Sequence, residues 1–114
     1  MTDVEARQRA KDIVNRRNLG ALANDTKWGE FFDQMARSRV SLEFKFIDEE
    51  RTYQCGTVWV PVQNYIEGSA IGPYLFVYVE WVRSRSVAEV AGAAATFGLE
   101  CLEQDGVATV YGYR

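Results

Sequence analysis

The side chains able to do chemistry here are mostly oxygen-bearing. Asp48, Glu49 and Glu50 stand in a row. Asn64, Tyr65 and Glu67 cluster between two prolines, and Glu80 follows in an apolar run. A row of carboxylates at a turn is either a solvated tip or an anionic knob for a basic partner. Asn64, Tyr65 and Glu67 combine hydrogen-bonding groups with an amphipathic ring, as binding surfaces do. Glu67 and Glu80, helped by tyrosine or lysine, could run acid–base chemistry if folding set two groups with separated pKa values side by side.

The chain holds no histidine. That excludes Ser-His-Asp and Cys-His catalysis within it and removes the commonest metal ligand. It has no CxxC pair, no GxxxxGK[ST] loop and no GxGxxG turn, so neither a zinc site nor a nucleotide cofactor is expected. Cys55 and Cys101 sit among apolar or β-prone neighbours and read as reduced, inert thiols. The chemistry left favours a binding protein over an enzyme and implies no cofactor.

These side chains need elements to hold them. Residues 3 to 18 carry Ala6, Ala10, Ile13 and Arg17 on one helical face, a thin apolar stripe. Residues 1 to 20 hold five Lys/Arg against three acids, leaving eight basic and thirteen acidic residues beyond. The reading is a mildly basic helical extension over 1–20 and a single acidic domain over 21–114. The basic helix side is either a solvated face with pairs such as Asp12 and Arg16, or a nucleic-acid contact; the acidic body makes nucleic acid the weaker partner.

In NDTKW, Asn24, Asp25 and Thr26 are helix-capping types, and Trp28, Phe31, Phe32 and Met35 keep i, i+3, i+4, i+7 spacing. The stretch reads as a helix start, with Lys27 and Asp25 as ligand contacts the alternative. VSLEFKFI alternates, with Val40, Leu42, Phe44 and Phe46 inward. TYQCGTVWVPV is a second strand, bent at Gly56. PVQNYIEGSAIGP has no period; it reads either as a functional loop or as a long hairpin connection. PYLFVYVEWVRS reads as one central strand, with Glu80 either paired or in water at its end. Ser86 and Glu89 form an S-x-x-E capping box on a helix that Gly98 ends. The remainder reads as a hairpin turning at Gln104-Asp105-Gly106.

The order α-α-β-β-β-α-β-β predicts an α+β fold with a mainly antiparallel sheet of about five strands and helices chiefly on one face. No apolar run nears the roughly 20 residues of a membrane span, and the N-terminal stretch has no signal-peptide pattern, so a cytoplasmic protein is expected.

NDTKW at a helix head, VPVQNYIEG…GPY…VEWV in the middle and GLECLEQDGVATVYGYR at the end together resemble a family of small bacterial proteins catalogued as a domain of unknown function. The resemblance spans residues 19 to 114 and carries no catalytic residues. Small acidic domains of this kind resemble, by analogy of class, immunity proteins that occlude a toxin. The function expected is therefore a non-catalytic protein-binding module whose partner is a protein such as a basic toxin domain, with homodimerisation open. Its contact residues would be Asp48, Glu49, Glu50, Asn64, Tyr65 and Glu67.

Overall fold

Two helices begin where a side-chain oxygen takes over an orphaned N–H. Thr2 Oγ1 accepts from the Glu5 amide at 3.2 Å and starts α1 (Asp3–Arg16). Asn24 Oδ1 accepts from the Lys27 amide at 2.8 Å and starts α2 (Asp25–Arg37). NDTKW is therefore a cap, and Trp28 is buried behind it. The computed structural model describes residues 1–114. After α2 come β1 (Leu42–Phe46), β2 (Thr52–Cys55), β3 (Val58–Trp59), β4 (Tyr65–Gly68), β5 (Ile71–Leu75), a 3₁₀ turn (Phe76–Tyr78), β6 (Val79–Ser84), α3 (Val87–Phe97), β7 (Glu100–Gln104) and β8 (Val107–Tyr111).

The main sheet has five antiparallel strands in the order β2-β1-β6-β8-β7, and a smaller sheet has the order β3-β4-β5. This is the α+β architecture that the sequence predicts. One face of the main sheet carries Leu42, Phe44, Val82, Ala108 and Val110, all fully buried. α2 presses Trp28, Phe31, Phe32 and Met35 into the same core, and α3 adds Val90, Ala93 and Ala94. Ala10 and Ile13 of α1 are buried in it too. Aromatic rings run through this core as a stack. Trp28 lies on Phe32 (4.9 Å between ring centroids), Phe32 on Phe44 (5.8 Å), Phe44 on Phe46 (5.8 Å), and Phe46 on Tyr74 (3.8 Å).

Four local expectations are corrected. TYQCGTVWVPV is not one strand bent at Gly56: it divides there into β2 of the main sheet and β3 of the smaller one. The aperiodic stretch is no open loop: β4 and β5 pair antiparallel around a two-residue turn at Ser69-Ala70, with Gly68 opposite Ile71. Gly68 is required there, because a Cβ would lie 2.8 Å from Cys55 Sγ. PYLFVYVEWVRS is not one strand. The 3₁₀ turn breaks it, so Phe76 and Tyr78 both become buried, and β5 and β6 go to different sheets. Ser86 makes no capping bond; its own amide donates to Ser84 Oγ at 3.1 Å instead. Gly98 does end α3 in the left-handed conformation (φ 72°), and Asp105 and Gly106 take φ 54° and 76° in the tight β7–β8 turn.

Cys55 and Cys101 are both free. They lie on opposite edge strands, four interstrand spacings or roughly 19 Å apart, too far for a disulfide. Beyond β8 the chain returns to the α1–α2 connection. Gly20 and Arg114 exchange two backbone hydrogen bonds (3.1 and 2.9 Å), and Ala21 bridges Tyr113. No helix is long and apolar enough to cross a membrane.

Candidate functional site

The two groups of candidate side chains lie in different places. Asp48, Glu49 and Glu50 sit between β1 and β2, on the rim of an open cleft of about 790 Å³ whose other wall is α1. Asn64, Tyr65 and Glu67 belong to the start and outer side of β4. No hydrogen bond or ion pair links the two groups.

The acid tip is more ordered than a solvated knob. Glu49 accepts from the Tyr53 hydroxyl at 2.9 Å and from the Tyr74 hydroxyl at 3.3 Å. Tyr74 is the last ring of the aromatic stack, so the core itself aims a donor at this carboxylate. Burial, then the Asp48 and Glu49 charges, push the Tyr74 phenol well above its ordinary range. The Glu49 hydrogen bond raises Tyr53 as well. Both rings therefore stay protonated and donate at neutral pH. Asp48 holds one carboxylate oxygen, Oδ1, that is buried and accepts from no protein donor. Glu50 is exposed.

The facing wall is basic. Arg9 and Arg16 project from α1 with Asp12 between them, Arg17 follows at its C-terminal cap, and Lys45 of β1 completes the wall. Glu80 lies behind this wall and holds two of its cations. Its carboxylate accepts from Arg17 at 2.7 and 3.2 Å and from Lys45 at 3.2 Å. It reaches both because β6 carries an extra residue against β1 at the Lys45/Phe46 step, a bulge that re-aims the side chain. Burial pushes the Glu80 carboxyl up, but the Arg17 and Lys45 hydrogen bonds outweigh it and hold the group below its ordinary range. Arg17 also donates to the Ile47 carbonyl at 3.1 Å, which ties α1 to the chain entering the acid tip. Glu80 is thus a paired, structural anion. Glu67 lies in the other sheet, so no Glu67–Glu80 pair forms.

On β4, Tyr65 donates to Asp3 of α1, and that carboxylate raises the phenol pKa. Asn64 adopts φ 73°, and its carbonyl accepts from the Phe76 amide at 2.8 Å, so its backbone turns the chain. Glu67 accepts from Trp59 Nε1 at 3.2 Å. Sequence reasoning missed Trp59, which is 40% exposed beside Glu67, and Val62, which is 59% exposed. The alternation in TVWVPV, with Val58 inward, was the available signal for Trp59. Asp25 and Lys27 of NDTKW take no part in either group: Asp25 pairs with Arg7 at 3.0 Å, and Lys27 lies over Gly98.

No group of histidine, cysteine or carboxylate side chains is arranged to hold a metal ion. The cleft can bind charge of both signs, and the β4 surface offers an aromatic contact ringed by hydrogen-bonding groups.

No curated protein and no solved structure matches the chain. A family match runs from residue 10, within α1, to residue 94, within α3. NDTKW and the VPVQNYIEG…VEWV stretch fall inside it, while GLECLEQDGVATVYGYR falls beyond it, so the matched span starts and stops earlier than residues 19–114. That family is one of unknown function, DUF6678, and with most of its length matched the chain belongs to it.

Proposed function

We propose that this domain is a non-catalytic protein-binding module of the immunity-protein kind, which neutralises a toxin by covering it. The observation that carries the reading is the ordered acid tip. Glu49 is fixed by two tyrosines, Glu50 is free, and Asp48 keeps an unused acceptor. A pre-positioned anion loses little side-chain freedom when a lysine or arginine of a partner arrives. Trp59 of β3 supplies an exposed aromatic anchor opposite Glu67 of β4, the strand that carries Tyr65.

The basic wall across the cleft narrows the partner. A uniformly basic surface would meet Arg9, Arg16 and Arg17 as well as the acids. The complementary surface is one that inserts a basic side chain at Asp48–Glu50 and carries a carboxylate toward α1. Occlusion needs no turnover, so the domain would act stoichiometrically.

The test is growth rescue. The domain is co-expressed with candidate toxins encoded beside it, and complexes are captured at low and moderate salt. Wild type should rescue growth and form a one-to-one complex. Asp48→Lys with Glu50→Lys should lose rescue while remaining folded, and Trp59→Ala should weaken the complex about tenfold or more. Rescue and capture that survive all three substitutions would put the binding surface elsewhere and end this reading.

A further inference from the structure

α1 is attached to the body differently from α2. Of its 14 residues only Ala10 and Ile13 are buried, with Ala6 and Val14 half-buried beside them. α2 buries Trp28, Phe31, Phe32 and Met35. The rest of the α1 attachment is polar. Tyr65 donates to Asp3, and the Tyr78 hydroxyl donates to the Ala6 carbonyl at 2.6 Å. Arg7 pairs with Asp25 at 3.0 Å, and Arg17 spans Glu80 and the Ile47 carbonyl. A helix with so little buried apolar surface is drawn from the least stable part of a fold.

Breaking a salt bridge is costly when one partner stays buried and unpaired. Losing α1 strands no such charge. Glu80 keeps Lys45 at 3.2 Å when Arg17 leaves. Asp25 sits in the first turn of α2, where the helix N-terminus favours an anion. The bond between Tyr65 and Asp3 already lies at the surface. The chain just beyond α1 is fixed independently of it. Gly20 and Arg114 exchange their two hydrogen bonds, the Leu22 amide donates to the Gly112 carbonyl at 2.8 Å, and Ala21 bridges Tyr113. Between α1 and this fixed segment stands Asn18, in the left-handed conformation at φ 55°.

We infer that α1 is a hinged arm, which swings away as one unit about residues 17–19 while residues 20–22 stay in place. Opening carries Arg9, Arg16 and Arg17 off the cleft and leaves Lys45 as the one cation of its lining. The residues beyond position 20 hold eight basic against thirteen acidic side chains, so the acid tip then stands on a body of net −5. The closed form suits a partner of both signs; the open form suits a uniformly basic one, which would draw the arm outward by binding that form better. This consequence for partners rests on the function proposed above, whereas the opening itself does not.

Native-state hydrogen exchange on the intact chain, read by NMR at urea concentrations below the unfolding transition, is the test. The α1 amides from Ala10 to Arg16 should share one opening, about tenfold or more as frequent as that of the α2 amides from Phe31 to Met35, with a shallow urea dependence. The Gly20 and Leu22 amides should follow α2. Glu80→Gln weakens the Arg17 tie and should raise the α1 opening about tenfold or more. Arg9→Gln removes a cleft cation and none of these ties, and should leave the opening within about twofold. α1 amides that exchange at the α2 rate with the α2 urea slope would overturn the proposal. So would protection that rises steadily from Ala6 to Arg16, the mark of simple fraying, or Gly20 and Leu22 amides that open together with α1.

Discussion

Replacing Glu80 by Gln keeps the side chain's shape and removes its charge. The carboxylate is 15% exposed and accepts three hydrogen bonds from two cations. A fully buried pair broken on one side costs about 3–5 kcal/mol, and an exposed pair about 0–1 kcal/mol. Glu80 lies between these limits. Arg17 is 39% exposed and keeps its bond to the Ile47 carbonyl, and Lys45 keeps its 2.7 Å bond to the Phe46 carbonyl. Neither cation is stranded, so the expected loss is about 2 kcal/mol at pH 7. With a urea slope near ~1.5 kcal/mol/M, the unfolding midpoint should fall by more than about 1 M.

The loss should also depend on pH. The folded-state pKa of Glu80 is depressed. Its stabilisation is therefore present above the unfolded value of about 4.3 and is lost as pH falls through the folded value. Urea titrations of wild type and Glu80→Gln should differ most at neutral pH and converge in acid below that unfolded value. A difference under about 0.5 kcal/mol at pH 7, or one that persists unchanged into strong acid, would refute the electrostatic account of how α1 is held.

Gly112→Ala should be among the most damaging small substitutions. Its Cβ would lie 2.3 Å from the Val79 carbonyl oxygen and 3.1 Å from the Trp28 ring, so a loss of about 3 kcal/mol or more is expected by urea unfolding; a near-neutral result would mean that β6 can move aside. Asn24→Ala removes the α2 cap and should cost about 1 kcal/mol, whereas Asn24→Asp should cost little, which a thermal melt would check.

What could be read in the sequence was what a single element enforces on itself. The spacing of Trp28, Phe31, Phe32 and Met35 needs no partner to be recognised, nor does the alternation of Val40 to Phe46 or the Asp105-Gly106 turn. What could not be read depended on distant pieces. The run from Tyr74 to Ser84 is apolar throughout, and periodicity cannot show a 3₁₀ turn whose residues are all wanted inside. The turn at Ser69-Ala70 lacks the Gly or Asn that marks hairpins, so β4 and β5 were hidden. Ser86 and Glu89 have the capping-box spacing, but the competing Ser84 hydroxyl is available only once β6 is formed. The candidate site divided in the same way. Three acids at a turn were visible, yet their order comes from Tyr53 and Tyr74, and Glu80 reaches Arg17 and Lys45 only because of the bulge.

The hydrogen bonds between Gly20 and Arg114 join points separated by most of the sequence. On a ribosome, residue 20 emerges long before residue 114 has been added. The α1–α2 connection must therefore wait, unlatched, while every strand is made. Loop closure over that separation is entropically costly and cannot precede the pairing of β6 with β8. Until then Trp28 has no Gly112 to pack against, and the aromatic surface of α2 stays open to other chains. The interval before this latch closes is when the protein is most exposed to misassembly, and when a chaperone would have most to hold.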